Sequence, residues 1–138
     1  MTVKASDSIE DAVAKMQAGH FGCVLAVHPD GKLAGIFTER DVLFKLALKG
    51  KDWKKETVAS FMTANPESLP FDASLAFALN MMTEGGYRHV PIVDKNGVAV
   101  AICSMKDVVR YISGFFEKEV MNLPPRPGLL HPEKPDGG

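Results

Sequence analysis

Most of the chain is written twice. Shifted against itself by 66 residues, without a gap, it lays Ser8 on Ser74, Ala12 on Ala78, Met16 on Met82 and Gly19 on Gly85. Val24 then falls on Val90, Val27 on Val93, Gly31 on Gly97, Ile36 on Ile102, Asp41 on Asp107 and Val42 on Val108. Similar residues fill the gaps, among them Ile9 with Leu75, Phe21 with Tyr87, Thr38 with Ser104 and Arg40 with Lys106. A fixed period of this kind means one supersecondary unit used repeatedly, with neighbouring copies burying each other's apolar faces.

Each copy predicts the same order of elements: helix, strand, hairpin turn, strand, helix. Ile9, Ala12, Val13 and Met16, and their twins Leu75, Ala78, Leu79 and Met82, recur at helical spacing. Ser6 or Asp7 is the expected N-cap of the first helix. Gly19 and Gly85-Gly86 end the two helices. The runs "CVLAV" and "HVPIV" read as strands, and "LAGIF" and "VAVAI" as their return strands. Asp30-Gly31 and Asn96-Gly97 favour primed hairpin turns between them. Short extended pieces, Thr2–Lys4 and Ser68–Pro70, precede the first helices. One copy alone offers too little surface to cover its sheet, so two copies packed as one pseudo-twofold module are expected.

The remainder bounds function by exclusion. The 138 residues carry a formal net charge of -1, which gives no broad basic footprint for nucleic acid or a membrane surface. No apolar run approaches the roughly 20 residues of a membrane helix, and no signal-peptide pattern opens the chain. Cys23 and Cys103 form no metal or redox pair, and a reducing cytoplasm is the expected compartment. Lys49 to Lys55 reads as a solvated surface connector. The Pro- and Gly-rich tail, residues 121–138, reads as extended or flexible. Within it Pro124, Pro125 and Pro127 could form a polyproline ligand. The stretch "ASFMTANPE" ahead of the second copy has no counterpart ahead of the first, so either the chain begins abruptly there or an upstream stretch is missing; the latter is expected.

The chemistry-bearing motif is Thr38-x-x-Asp41 with its twin Ser104-x-x-Asp107. Both fit a helix capping box, hydroxyl to backbone and acid back to the cap. The same residue types also suit a nucleoside phosphate. A carboxylate matches vicinal ribose hydroxyls, and a helix N-terminus with Arg40 or Lys106 nearby suits phosphate oxygens. The residues alone leave both readings open.

The segments "GIFTERDVL", "AICSMKDVV", "DSIEDAVAKM", "ASLAFALNMM" and "GGYRHVPIVDKNG" resemble a tandem pair of CBS (cystathionine β-synthase) domains, a Bateman module. The resemblance implies an α+β fold of two βαββα CBS units packed with pseudo-twofold symmetry. CBS domain 1 would span residues 1–50, a connector 51–61 and CBS domain 2 62–120. It also implies a non-catalytic regulatory module that binds AMP, ADP, ATP, NAD or S-adenosylmethionine and relays binding to an effector protein, commonly as a homodimer. Carried over by position, Asp41 and Asp107 hold ribose, Thr38 and Ser104 lie by ribose and phosphate, and Arg40 and Lys106 face phosphate. Val3, Lys4, Leu69 and Pro70 line the adenine, and Gly22, Cys23, His89, Val90 and Pro91 flank the base. Tyr87-Arg88-His89 replaces Phe21-Gly22-Cys23 in the second copy, so the two clefts are expected to differ in affinity. Leu25 and Ala101 depart from the family's Pro and Gly.

Three functions are weighed. A nucleotide sensor is favoured. An enzyme is disfavoured, because no Ser-His-Asp order, metal cluster or P-loop appears. A nucleotide-free structural or dimerisation module is the alternative. His20, His28 and His131 read as surface residues, and the cysteines and methionines as core. Phe115, Phe116 and Val120 read as dimer contacts.

Overall fold

The repeated residues form repeated elements. In the first copy these are β1 (Thr2–Lys4), α1 (Ile9–Gly19), β2 (Cys23–Val27) and β3 (Leu33–Thr38). A one-turn α2 (Glu39–Asp41), α3 (Val58–Phe61) and β4 (Thr63–Ala64) follow. The second copy gives β5 (Leu69–Pro70), α4 (Leu75–Gly85), β6 (His89–Val93), β7 (Ala99–Ser104) and α5 (Met105–Phe115). The computed structural model describes residues 1–50 and 52–116. The tail, with Pro124, Pro125, Pro127 and His131, lies outside them, as does Val120. The chain divides into two compact units, Met1–Met105 and a second from Lys106 onward.

The offset of 66 holds in the hydrogen-bond register. β1 runs parallel to β2 with Val3 opposite Ala26, and β5 parallel to β6 with Leu69 opposite Ile92. β2 pairs antiparallel with β3 from Cys23–Thr38 to Val27–Leu33, and β6 with β7 from His89–Ser104 to Val93–Ala99. Each pair carries an irregularity at the equivalent place, Ala26/Val27 and Ile92/Val93. The turns also pair with each other. Leu33 donates its N–H to the Gly97 carbonyl at 3.0 Å, and Ala99 donates to Gly31 at 3.3 Å. Since 31 and 97, like 33 and 99, are repeat partners, these are the two halves of one reciprocal contact on the pseudo-twofold axis.

Two expectations are corrected. The N-cap of α1 is Ser8, whose hydroxyl accepts from the Asp11 N–H at 3.0 Å. Asp7 is instead turned back to accept from the Lys4 N–H at 2.8 Å. The hairpin turns are not of the primed kind: only Gly31 and Gly97 have positive φ (82° and 80°), whereas Asp30 and Asn96 do not. Gly31 N–H closes onto His28 O and Gly97 N–H onto Asp94 O, which fits an ordinary turn followed by a left-handed glycine. The helix after β3 is not regular. Past α2 it widens into a π turn, Val42–Leu46, and ends as a 3₁₀ turn, Ala47–Lys49.

The four-stranded sheet β1-β2-β3-β4 is covered on both faces. One face meets Ile9, Ala12 and Met16 of α1 together with Leu46 and Val58, packed on Val3, Val24, Ala26 and Phe37. The other face, through Cys23, Leu25 and Ile36, meets Ala99 and Ile102 of the second sheet. Hence β2 is nearly all apolar rather than alternating. Within Lys49–Lys55, expected to be solvated surface, Trp53 packs against this core, and farther along the connector Val58 is wholly buried. Its backbone is also tied down, with Ile9 N–H on Glu56 O at 3.0 Å and Val58 N–H on Asp7 O at 2.9 Å.

Candidate functional site

At the ends of β2 and β3 the chain must turn from strand to helix, and Glu39 N–H closes that turn onto Gly22 O at 3.1 Å. The second copy repeats the bond with Met105 N–H on Arg88 O at 2.9 Å. This brings Gly22 and Thr38–Asp41 of one copy to the same place as Tyr87-Arg88-His89 of the other. A cavity of about 430 Å³ opens between them. Its walls are Thr38, Glu39, Arg40 and Asp41 on one side and Tyr87, Arg88, His89 and Pro91 on the other. Gly22 and Ile36 complete its lining together with Thr63, Asn65, Pro66 and Glu67, from the stretch between α3 and β5.

The capping reading of Thr38 and Asp41 is correct. Thr38 donates from its N–H and its hydroxyl to Asp41 Oδ2, each at 2.8 Å, and the Asp41 N–H donates to Thr38 Oγ1 at 3.3 Å. The other oxygen, Oδ1, is paired with Lys45 Nζ at 2.6 Å, and the same ammonium donates to the Phe61 carbonyl at 2.8 Å. Asp41 is 7% exposed and fully engaged. A ligand hydroxyl reaching this carboxylate would share Oδ1 with Lys45. The cationic side chains lining the cavity are Arg40 and Arg88.

Gly22 keeps the cavity open. A methyl group there would lie 3.4 Å from His89 Cε1 and 3.6 Å from Glu39 Oε2. The Tyr87 hydroxyl donates to Glu67 Oε2 at 2.6 Å, and desolvation with this carboxylate pushes its pKa up to about 12. The phenol is therefore a neutral hydrogen-bonding group at neutral pH.

Of the residues proposed from sequence, Gly22, Thr38, Arg40, Asp41, Tyr87, Arg88, His89 and Pro91 converge on this cavity. Val3 is a core residue behind β2, and Lys4 is exposed beside it. Cys23 faces the inter-sheet core, where burial and the Glu39 charge raise its thiol to about 12. Val90 is wholly buried. Leu69 and Pro70 line a separate recess. Ser104 ends β7, and Lys106 and Asp107 belong to the second unit, where Asp107 pairs with Arg110 at 3.5 Å. Sequence reasoning missed Ile36 and Glu39, and also Thr63, Asn65, Pro66 and Glu67. For the last four the Asn-Pro pair was the one signal, a turn marker, and Asn65 does take a positive φ of 46°.

Among the described residues no group of His, Cys, Asp and Glu is arranged for a metal, and no helix is long and apolar enough to cross a membrane. Comparison with known proteins then places the chain. It is 33% identical over 102 residues to a CBS domain-containing protein of Arabidopsis thaliana, covering 74% of this chain and 19% of that one. A mitochondrial CBS domain-containing protein of the same plant is 31% identical over 85% of this chain and 58% of its own length. The chain thus spans less than two thirds of the length of either relative. A signal-transduction protein with CBS domains from Burkholderia ambifaria superposes with a TM-score of 0.74 at 32% identity, over 80% of each chain. The CBS domain pair of protein MJ0100, solved with 5′-methylthioadenosine and S-adenosyl-L-methionine, superposes with a TM-score of 0.74 at 26% identity, over 83% of this chain and 88% of that one. The CBS domain profile itself matches residues 1–48 and again 58–114, so the chain belongs to the CBS domain family and carries a tandem pair.

Proposed function

We propose that this CBS pair is a non-catalytic regulatory module that takes an adenosine-containing small molecule in the cavity between its two copies. The observation that carries the reading is convergence: Thr38–Asp41 of one copy and Tyr87-Arg88-His89 of the other bound one cavity of about 430 Å³, a size suited to a small ligand. A similar pair is solved with 5′-methylthioadenosine and S-adenosyl-L-methionine. In this reading Asp41 Oδ1 takes the ribose hydroxyls, with Lys45 moving aside, while Arg40 and Arg88 serve a phosphate or carboxylate. Because the two walls come from different copies, a ligand that prefers one spacing of the walls shifts the module toward it. An effector protein, with the module as a homodimer, reads that shift. The exposed apolar residues Val109, Ile112 and Phe116 support the homodimer.

The self-satisfied Asp41 favours a second reading, a structural module whose motif only caps. The two separate in a melting experiment with AMP, ADP, ATP, NAD and S-adenosylmethionine. A ligand at a hundredfold excess over Kd stabilises by about 2.7 kcal/mol. Gly22→Val places bulk in the cavity between His89 and Glu39 while leaving Thr38 and Asp41 unchanged. A midpoint rise with one ligand, lost in Gly22→Val, supports the sensor. No rise with any ligand supports the structural module.

A further inference from the structure

Lys45 stands where two parts of the site meet. Its ammonium pairs with Asp41 Oδ1 at 2.6 Å and donates to the Phe61 carbonyl at 2.8 Å. Phe61 ends α3, and the chain then runs into Thr63, Asn65, Pro66 and Glu67, which line the cavity. Asp41 lines the cavity too, whereas Lys45 does not. One ammonium thus ties the carboxylate of the first wall to the backbone of the connector from outside the ligand space. The two partners differ in their access to water: the Lys45 side chain is 39% exposed and that of Asp41 9%. The ammonium has a way into solvent that the carboxylate lacks. Its backbone has slack as well. Lys45 lies in the π turn Val42–Leu46, after which the Ala47 N–H is shared between the Leu43 and Val42 carbonyls, one bond of α register and one of π register.

Resting on the reading of this cavity as an adenosine site, we propose that Lys45 is a positioning residue that competes with the ribose for Asp41 and carries occupancy of the cavity to the connector. Asp41 Oδ2 is committed to the Thr38 N–H and hydroxyl, so a ribose hydroxyl donates to Oδ1. It takes the place of the ammonium, which then keeps only a neutral carbonyl as partner. A half-exposed ammonium gains little from one such bond over its bonds to water, so it leaves Phe61 when it leaves Asp41. Binding of a vicinal diol is in this way coupled to release of the end of α3. The ion pair that must open lowers the affinity for the ligand.

The sign of one substitution separates this role from others. Adenosine, which has the diol and no phosphate, is titrated calorimetrically into the whole chain, with AMP and 2′,3′-dideoxyadenosine beside it. Lys45→Met should tighten adenosine and AMP about threefold or more, by removing a competing cation, and leave 2′,3′-dideoxyadenosine no tighter. A lysine that serves phosphate would instead weaken AMP alone, and a merely structural one would weaken all three. Either result, or unchanged affinities, overturns the proposal while leaving the cavity reading in place. Adenosine and AMP both failing to bind the unaltered protein and Lys45→Met overturns the cavity reading and this one with it. Should the variant not fold, the unaltered protein carries the test. Saturation with adenosine should shift the NMR signal of the Phe61 carbonyl carbon as it loses its ammonium donor, and saturation with 2′,3′-dideoxyadenosine should not. A Phe61 carbonyl that responds to both alike, or to neither, overturns the coupling.

Discussion

Asp41 illustrates how one side chain can satisfy two readings of a motif. Its oxygens close the capping box, as the sequence motif anticipated, and also hold Lys45, a partner the motif did not reveal. Lys45 lies four residues on, a spacing that could have flagged the pair. Cys23 shows the opposite case. Its place beside Gly22 in the sequence suggested the base pocket, but strand alternation turns it into the inter-sheet core. Its thiol, pushed up to about 12 by burial and then by the Glu39 charge, stays protonated in the fold. The unfolded chain therefore releases this proton first, and stability that is present below pH 9 falls as pH rises toward 12. A thiol reagent at pH 8 should label half-buried Cys103 early and Cys23 only at the rate of unfolding. Prompt labelling of both would contradict this.

Among the elements, periodicity and repeat located nearly every strand and helix. The strands "CVLAV" and "HVPIV" match β2 and β6 end to end. What escaped was local hydrogen-bond detail, because caps and turns depend on which of several adjacent polar groups wins. Ser8 caps α1, while its twin Ser74 makes no side-chain cap bond. Ser8→Ala should accordingly cost about 1 kcal/mol, and Ser74→Ala less than about 0.5 kcal/mol, measured by urea unfolding. The glycines two residues before Phe21 and Tyr87 carry a second constraint legible only in three dimensions. Phe21 lies over Gly19 and Tyr87 over Gly85, so a methyl group at either would overlap the ring. Gly85→Ala should displace Tyr87 from Glu67 and be seen as a change in tyrosine absorbance as well as in the melting midpoint.

For the whole molecule, the repeat foretold two similar copies, but not that the stretch joining them belongs to the core of the first. Lys54 and Lys55 are exposed and masked the role of the residues after them. Val58, 0% exposed among Ile9, Val24 and Phe37, follows only three residues later. Val58→Ala should cost about 2 kcal/mol, as a core truncation does, and lower the melting midpoint by several degrees. A change within the range of a surface substitution would return the segment to the status of a linker.

The reciprocal bonds between the hairpin turns, Leu33 to Gly97 and Ala99 to Gly31, carry a consequence for descent. A contact that is its own mirror under a twofold needs only one surface, so two identical half-length chains could make it without being joined. In such a pair every substitution would appear in both clefts at once. Joining the halves into one gene lifts that tie. Glycine can then remain at position 22 while arginine arises at 88, and the two clefts are free to acquire different tasks.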